Sequence, residues 1–200
     1  SRDMPPHPKW RAELEELLTS EKGAERFMQL ATLRPDGSPA NRTIVFRRFG
    51  EDGASLISST PCRSPKVHEL HSAPDAAICW YLRSQRRQFR FSGRAFVYGP
   101  RSEDATALRA RSALWKELSP ATRRTFSGLA PGSVVEESGH LSDGGGPEGD
   151  GPPDSPPDSF CLLWFVPERV DVLDLSTEPN TRHIHTRDAA GVWSVTAVAP

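Results

Sequence analysis

Hydrophobic and polar positions change period several times along the chain. In HPKWRAELEELLTS, Trp10, Leu14, Leu17 and Leu18 fall at i, i+4, i+7 and i+8, which predicts an amphipathic helix. Pro8 suits its first turn, and Glu13, Glu15 and Glu16 are expected to face water near its positive end. The period then drops to two. Phe27–Leu33 and the stretch ANRTIVFRRF at 40–49 read as a hairpin, with Pro35-Asp36-Gly37 supplying the turn chemistry. GEDGA turns the chain into the strand SLISST, and RSPKVHELH reads as a short amphipathic helix. AAICWYL is a nearly continuous apolar run, expected to be a strand buried on both faces. RRQFRFSGRAFVYG alternates, with Phe89, Phe91, Gly93, Ala95 and Val97 on one parity and Gly93 placed to bend the strand.

Beyond residue 100 the helical period returns. SEDATALRARSALWKEL predicts a helix opened at Ser102 by an incomplete capping box, because Ala105 stands where Glu is expected. SPATRRTF starts another, with Ser119 as N-cap and Pro120 at the first helical position. FCLLWFVPERVDVLDLS reads as two strands around PERV, and TRHIHT and VWSVTAV close the chain as a strand pair. The sum is a mainly β fold, an antiparallel barrel with peripheral helices, in one domain over 1–200. Residues 130–158 carry no apolar periodicity and are dense in Gly, Pro and Asp. Such a segment cannot bury enough surface to offset its ordering entropy, so a disordered insertion is expected there.

Composition changes this picture only locally. The hydrophobic share of 36% is low, and the insertion accounts for it. A net charge of −1 gives no whole-molecule attraction to nucleic acid or acidic membranes, so any anion site must be a local cluster. No apolar run approaches the roughly 20 residues that span a bilayer. Cys62, Cys79 and Cys161 are far apart, odd in number and form no CxxC pair, which predicts free thiols in a reducing, cytoplasmic compartment.

The local cluster is visible in the basic strand. Arg42, Arg47 and Arg48 sit on a stretch whose centre is β-branched and aromatic. STPCRSPK then brings Thr60, Arg63, Ser64 and Lys66 to the start of a short helix. Hydroxyls, a guanidinium, an ammonium and free helix N–H groups together suit a phosphate. Solvated arginines on an exposed strand are the competing reading. Arg42 and Arg47 have opposite parity, so only a twisted or bulged strand brings both to one elongated ligand. His183 and His185 share one strand face; with no third ligand nearby, they fit a role beside a substrate better than a metal site. Trp80, Trp115, Trp164 and Trp193 read as core or interface aromatics.

In order, QLATLRPDGSPANRTIVFR, STPCRSPKV, ICWYL and RRQFRFSGRA resemble the pyridoxamine 5′-phosphate oxidase family, and in particular its poorly characterised FMN-binding split-barrel branch. The resemblance is close over 10–100 and loose over 160–200. It implies a split antiparallel β-barrel that forms a homodimer with FMN at the interface. The implied activity is an oxidoreductase passing a hydride from an amine or alcohol to FMN, with reoxidation by oxygen. The alternative is a non-catalytic flavin- or haem-binding module.

By that resemblance Arg42 contacts the FMN phosphate, and Thr43, Ile44 and Val45 lie along the flavin. Arg47 takes a Lys position beside flavin and substrate. Ser59 and Thr60 match a Tyr-Thr pair near the flavin. Ser64 and Lys66 match a Ser-Arg-Lys phosphate motif whose central residue is here Pro65, with Arg63 adjacent to compensate. Gln88 matches a glutamine bonded to the isoalloxazine. RHIH echoes an Arg-x-His substrate grip, with either Arg182 and Ile184 or His183 and His185 in register; Arg182 and His185 are the substrate candidates. Leu173 replaces a flavin-side Trp. ALRARSALW offers Arg109, Arg111 and Ser112 without the family's spacing or Tyr. FMN binding is therefore better carried than vitamin B6 specificity.

Overall fold

One strand organises the sheet. In the computed structural model, which describes residues 7–20, 24–127, 131–133 and 154–200, the segment expected to form two strands is a single strand, β7 (Phe160–Asp174). On one side its residues 162–174 pair with β6 (Arg87–Tyr98). On the other it changes partner: residues 160–165 pair with β4 (Leu56–Pro61) and residues 169–174 with β8 (Thr181–Arg187). The exchange happens at a bulge, where the β6 register shifts between Ser92 and Gly93 opposite Pro167. Pro167 has no N–H to give to a ladder, which suits the bulge. A Cβ on Gly93 would collide with the carbonyl oxygen of Val166 and lie 3.0 Å from Cα of Pro167. Gly93→Ala is thus expected to destabilise the protein by about 3 kcal/mol. A urea midpoint equal to that of the wild type would refute the close approach.

The remaining strands extend both ends of this spine. The order is β2 (Pro39–Val45), β1 (Phe27–Leu33), β5 (Asp75–Leu82), β6, β7, β4, β3 (Arg48–Phe49), with β8 and β9 (Trp193–Val198) branching from β7. All pairs are antiparallel. The fold is the split antiparallel barrel, with a basic stretch that breaks at Phe46-Arg47 into β2 and β3.

Helix α1 (Lys9–Ser20) packs on the barrel core. Its Trp10 and Leu14 are fully buried against Phe91 and the other core residues of β1, β5, β6 and β7. Glu13 does not face water as expected: it pairs with Arg87 of β6, and burial raises its carboxyl pKa despite that guanidinium. Helices α3 (Ala105–Glu117) and α4 (Pro120–Arg124) form a second cluster, in which Leu114, Trp115, Leu118 and Phe126 pack on Ile57, Phe160 and Leu162. Asp104, not Ser102, caps α3, accepting from the N–H groups of Thr106 and Ala107; its carboxylate sits at the Ncap, whereas Ser102 lies two residues too early. Ser119 caps α4 as expected.

Two further expectations are corrected. β5 is buried on one face only: Ile78, Trp80 and Leu82 point into the core while Tyr81 is 41% exposed, because one side of its sheet is bare in the single chain. The cysteines are not all free. Cys62 and Cys161 form a disulfide with Cα atoms 5.2 Å apart, and only Cys79 is a thiol. Pairing of Thr60 with Cys161 across β4 and β7, continued by the Cys62 N–H to the Ser159 carbonyl at 2.8 Å, brings the two sulfurs together. The bond withdraws the thiol argument for a reducing compartment. Residues 130 and 134–153 of the expected insertion at 130–158 lie outside the described residues. At its C-terminal end, the Pro157 carbonyl accepts from Arg111 Nη2 at 2.6 Å. Among the described residues no helix is long and apolar enough to cross a membrane.

Candidate functional site

The residues singled out in the sequence fall in four places, and one of them is a compact polar cluster. It lies where helix α2 (Pro65–Ser72) starts beside β4 and the edge strand β2. Pro65 fits the first helical position, where its missing N–H leaves no bond unmade. Ser64 stands at the N-cap but its hydroxyl makes no cap hydrogen bond; it accepts instead from Lys66 Nζ at 2.6 Å. Lys66 also donates to Thr60 Oγ1 at 3.0 Å. The ammonium is half-buried, and burial, reinforced by the nearby Arg42 charge, lowers its pKa.

Arg42 completes the cluster. On β2 it belongs to the inward-facing row, in register with Leu30 on β1, and at the sheet edge it meets α2 instead of the core. Nη2 donates to Glu69 Oε2 at 2.5 Å and Nη1 to Thr32 Oγ1, which in turn donates to the same Glu69 oxygen at 2.6 Å. Glu69 is 5% exposed. Burial pushes its carboxyl up, but the bonds from Thr32 and Arg42 outweigh this and hold it below the ordinary range. Two cations, three hydroxyls and one buried carboxylate therefore carry a net charge of about +1 beside a helix N-terminus, a donor set suited to a phosphate. Glu69 and Thr32 were not singled out in the sequence. Glu69 stands three residues after Lys66, on the same side of a helix, and that spacing was the available signal.

The neighbouring candidates divide by strand parity. Thr43 is exposed on the outer face, whereas Ile44 is buried in the core and offers a ligand nothing but backbone. The Val45 carbonyl already accepts from Ser58 Oγ at 2.7 Å. Ser59 is half-buried, and Arg63 is exposed on the turn before α2.

Arg47 lies elsewhere. It lines a cavity of about 590 Å³ with Arg11, Arg26, Arg48, Glu15 and Phe46. Its Nε is buried with no acceptor among the described residues, and burial, then the Arg26 charge, lowers its pKa.

Gln88 and Arg182 are on the outer face of the sheet. Gln88 is half-buried, opposite Tyr81 and Leu173. Arg182 is locked by two bonds to Asp171, at 3.0 and 2.8 Å, and Arg90 reaches the same carboxylate at 2.6 Å. Those hydrogen bonds and the two guanidinium charges hold Asp171 below its usual pKa.

His185 has the opposite parity to Arg182. It is 5% exposed and lines a cavity of about 640 Å³ with Arg187, Lys9 and Trp193. Burial, with the His183 and Lys9 charges, lowers its pKa, so the imidazole is neutral at pH 7. Arg182 and His185 thus cannot grip one substrate from one subunit. Arg111, weighed for substrate phosphate, is spent on the Phe160 and Pro157 carbonyls.

Comparison with known proteins identifies the family and the fold. The family model described as pyridoxamine 5′-phosphate oxidase, FMN-binding domain, matches residues 7–99. Pyridoxine/pyridoxamine 5′-phosphate oxidase 2 of Arabidopsis thaliana is 34% identical over 180 residues, 87% of this chain and 87% of that protein. The Gluconobacter oxydans pyridoxine/pyridoxamine 5′-phosphate oxidase is 29% identical, over 90% of this chain and 87% of its own. Among solved structures, a pyridoxamine 5′-phosphate oxidase-related, FMN-binding protein from Nostoc punctiforme superposes with a TM-score of 0.89 and 35% identity, covering 98% of this chain and 100% of that one. PhzG from Burkholderia lata shares the fold at a TM-score of 0.73 and 20% identity, with 99% and 95% coverage. The chain belongs to the pyridoxamine 5′-phosphate oxidase family of FMN-binding split barrels, and its cofactor is FMN.

Proposed function

We propose that this protein is an FMN-dependent oxidoreductase that oxidises a small amine or alcohol bearing an anionic group. The observation that carries the reading is the Lys66 ammonium: half-buried beside Arg42, it has the hydroxyls of Thr60 and Ser64 as its hydrogen-bond partners among the described residues. Such a group is suited to an incoming phosphate. Arg42, Thr60, Ser64 and Lys66 hold the FMN phosphate in this reading, and Arg63 extends the positive potential on the exposed side. Bound FMN supplies the redox chemistry, accepting two electrons from the substrate and passing them to oxygen. Arg47, with Arg26 and Arg11 about the same cavity, orients the anionic end of the substrate; the neutral His185 offers a hydrogen bond rather than a charge.

A homodimer belongs to the same reading. The bare outer face carries half-buried Gln88 and exposed Phe27, Leu33 and Tyr81, and in this reading a second copy covers it. One observation favours a second reading, a flavin module without turnover of vitamin B6 phosphates: Arg182 is held by Asp171 on the face opposite His185.

Titration of flavin-free protein with FMN and with riboflavin, followed by flavin fluorescence, tests the phosphate assignment. Two charge-assisted hydrogen bonds predict FMN at least about 100-fold tighter, and equal affinities overturn the assignment. Hydrogen peroxide release on adding pyridoxamine 5′-phosphate to the loaded protein separates the oxidase from the silent module.

A further inference from the structure

Glu69 is a buried acid in a place that attracts anions. Its carboxylate lies against the guanidinium of Arg42 at 2.5 Å and within the field of Lys66, and it is 5% exposed. No other carboxylate shares the Arg42–Lys66 cluster among the described ion pairs. A cluster evolved only to grip a phosphate would gain from a neutral residue here, because like charges repel more strongly as they are withdrawn from water. Without a ligand, however, Arg42 and Lys66 would face each other, part-buried, with no counter-charge. Glu69 removes that penalty, and the hydroxyl of Thr32, donating to the same oxygen at 2.6 Å, keeps the carboxylate ionised and fixed.

Resting on the reading that this cluster holds the FMN phosphate, we infer that Glu69 is a resident counter-ion, a positioning residue that stabilises the flavin-free protein and sets FMN affinity below what the two cations alone would give. A thermodynamic cycle links stability and affinity. Neutralising Glu69 destabilises the flavin-free state, where Arg42 is left unpaired. It destabilises the loaded state less, because the phosphate supplies the missing negative charge. The difference appears as tighter FMN binding. Riboflavin lacks the phosphate and gains nothing. The carboxylate also limits which ligands are retained: with a net charge of about +1, the cluster discriminates a phosphate dianion from a singly charged group less by charge than by hydrogen-bond geometry.

Glu69→Gln keeps the shape and one acceptor while removing the charge. Affinities of wild type and variant for FMN and riboflavin, measured by fluorescence quenching, decide the matter alongside thermal midpoints of the flavin-free proteins. The expected result is FMN about tenfold tighter in the variant, riboflavin unchanged, and a lower flavin-free midpoint. Weaker FMN binding, or equal changes for both flavins, overturns the inference, since a merely structural residue would move both together. Should the Gln variant fail to fold, Glu69→Asp serves in its place. It withdraws the charge from Arg42 by one methylene and should tighten FMN by a smaller factor; unchanged or weaker FMN binding overturns the inference equally. Wild-type protein that does not prefer FMN to riboflavin marks the failure of the phosphate reading itself, a result distinct from these.

Discussion

Reduction of the Cys62–Cys161 bond is expected to lower the stability of the protein by about 4–5 kcal/mol, because it closes a loop of roughly 100 residues whose freedom it removes from the unfolded chain. The two cysteines are 99 positions apart, and everything from α2 to the start of β7 lies between them. The cross-link restricts so long a loop chiefly in the unfolded chain, so its effect falls mainly on the denatured state. In a chain of this length the loss corresponds to a fall of roughly 8–20 °C in thermal midpoint. Thermal unfolding with and without dithiothreitol, and of Cys62→Ser with Cys161→Ser, measures it. Cys79→Ser is the control, since that cysteine is outside the bond. A midpoint indifferent to reductant would mean that the bond does not form in solution.

Arg42→Ala is expected to act twice. In the flavin-free protein it strands Glu69, a carboxylate 5% exposed, with Thr32 as its remaining hydrogen-bond donor. Stranding a buried charge costs about 3–5 kcal/mol, and the 22% exposure of the Arg42 side chain places the loss toward the lower end. The pH dependence follows. In the wild type the folded pKa of Glu69 is depressed, so its contribution is present above the ordinary carboxylate range and lost as pH falls through the folded value. In the variant burial acts without Arg42, the folded pKa rises, and mild acid relieves the strain instead of adding to it. Toward flavin, the variant loses one of the two cations of the phosphate cluster, and FMN affinity should fall about 100-fold while riboflavin affinity holds. Arg42→Lys keeps the charge but not the fork, and should recover only part of both losses. Folded Arg42→Ala protein with wild-type FMN affinity would remove Arg42 from the phosphate site.

Much of the site was legible because its signals are local. Ser64, Pro65 and Lys66 are adjacent in sequence, Pro65 fits helix position one, and a helix start gathers them whatever the rest of the chain does. Arg42 stood out as a charge on a strand with a β-branched core. What could not be read was its partner, because Glu69 reaches Arg42 only through the packing of α2 against β1, beside the edge strand β2. Opposite parity meant that only a twisted or bulged strand could bring Arg42 and Arg47 to one ligand; the strand instead breaks at Phe46-Arg47, and in the single chain the two arginines lie in different places. The same rule separates Arg182 from His185, whose spacing of three places them on opposite faces of one strand.

The sequence by itself determined the element types, the hairpin of β1 and β2, the helix α1 with its apolar stripe, the bend at Gly93 and the family, because each rests on period, turn chemistry or an ordered run of neighbouring residues. Tertiary structure alone decided three things. β7 runs unbroken through PERV, since β6 pairs with its residues 162–174 and a bulge absorbs the proline. Cys62 meets Cys161 because β4 and β7 are antiparallel neighbours in one register. Glu69 sits among cations because sheet and helix are packed so that its charge is answered before any ligand arrives. In each case the deciding interaction joins residues remote in sequence, and a pattern read along the chain carries no distance between them.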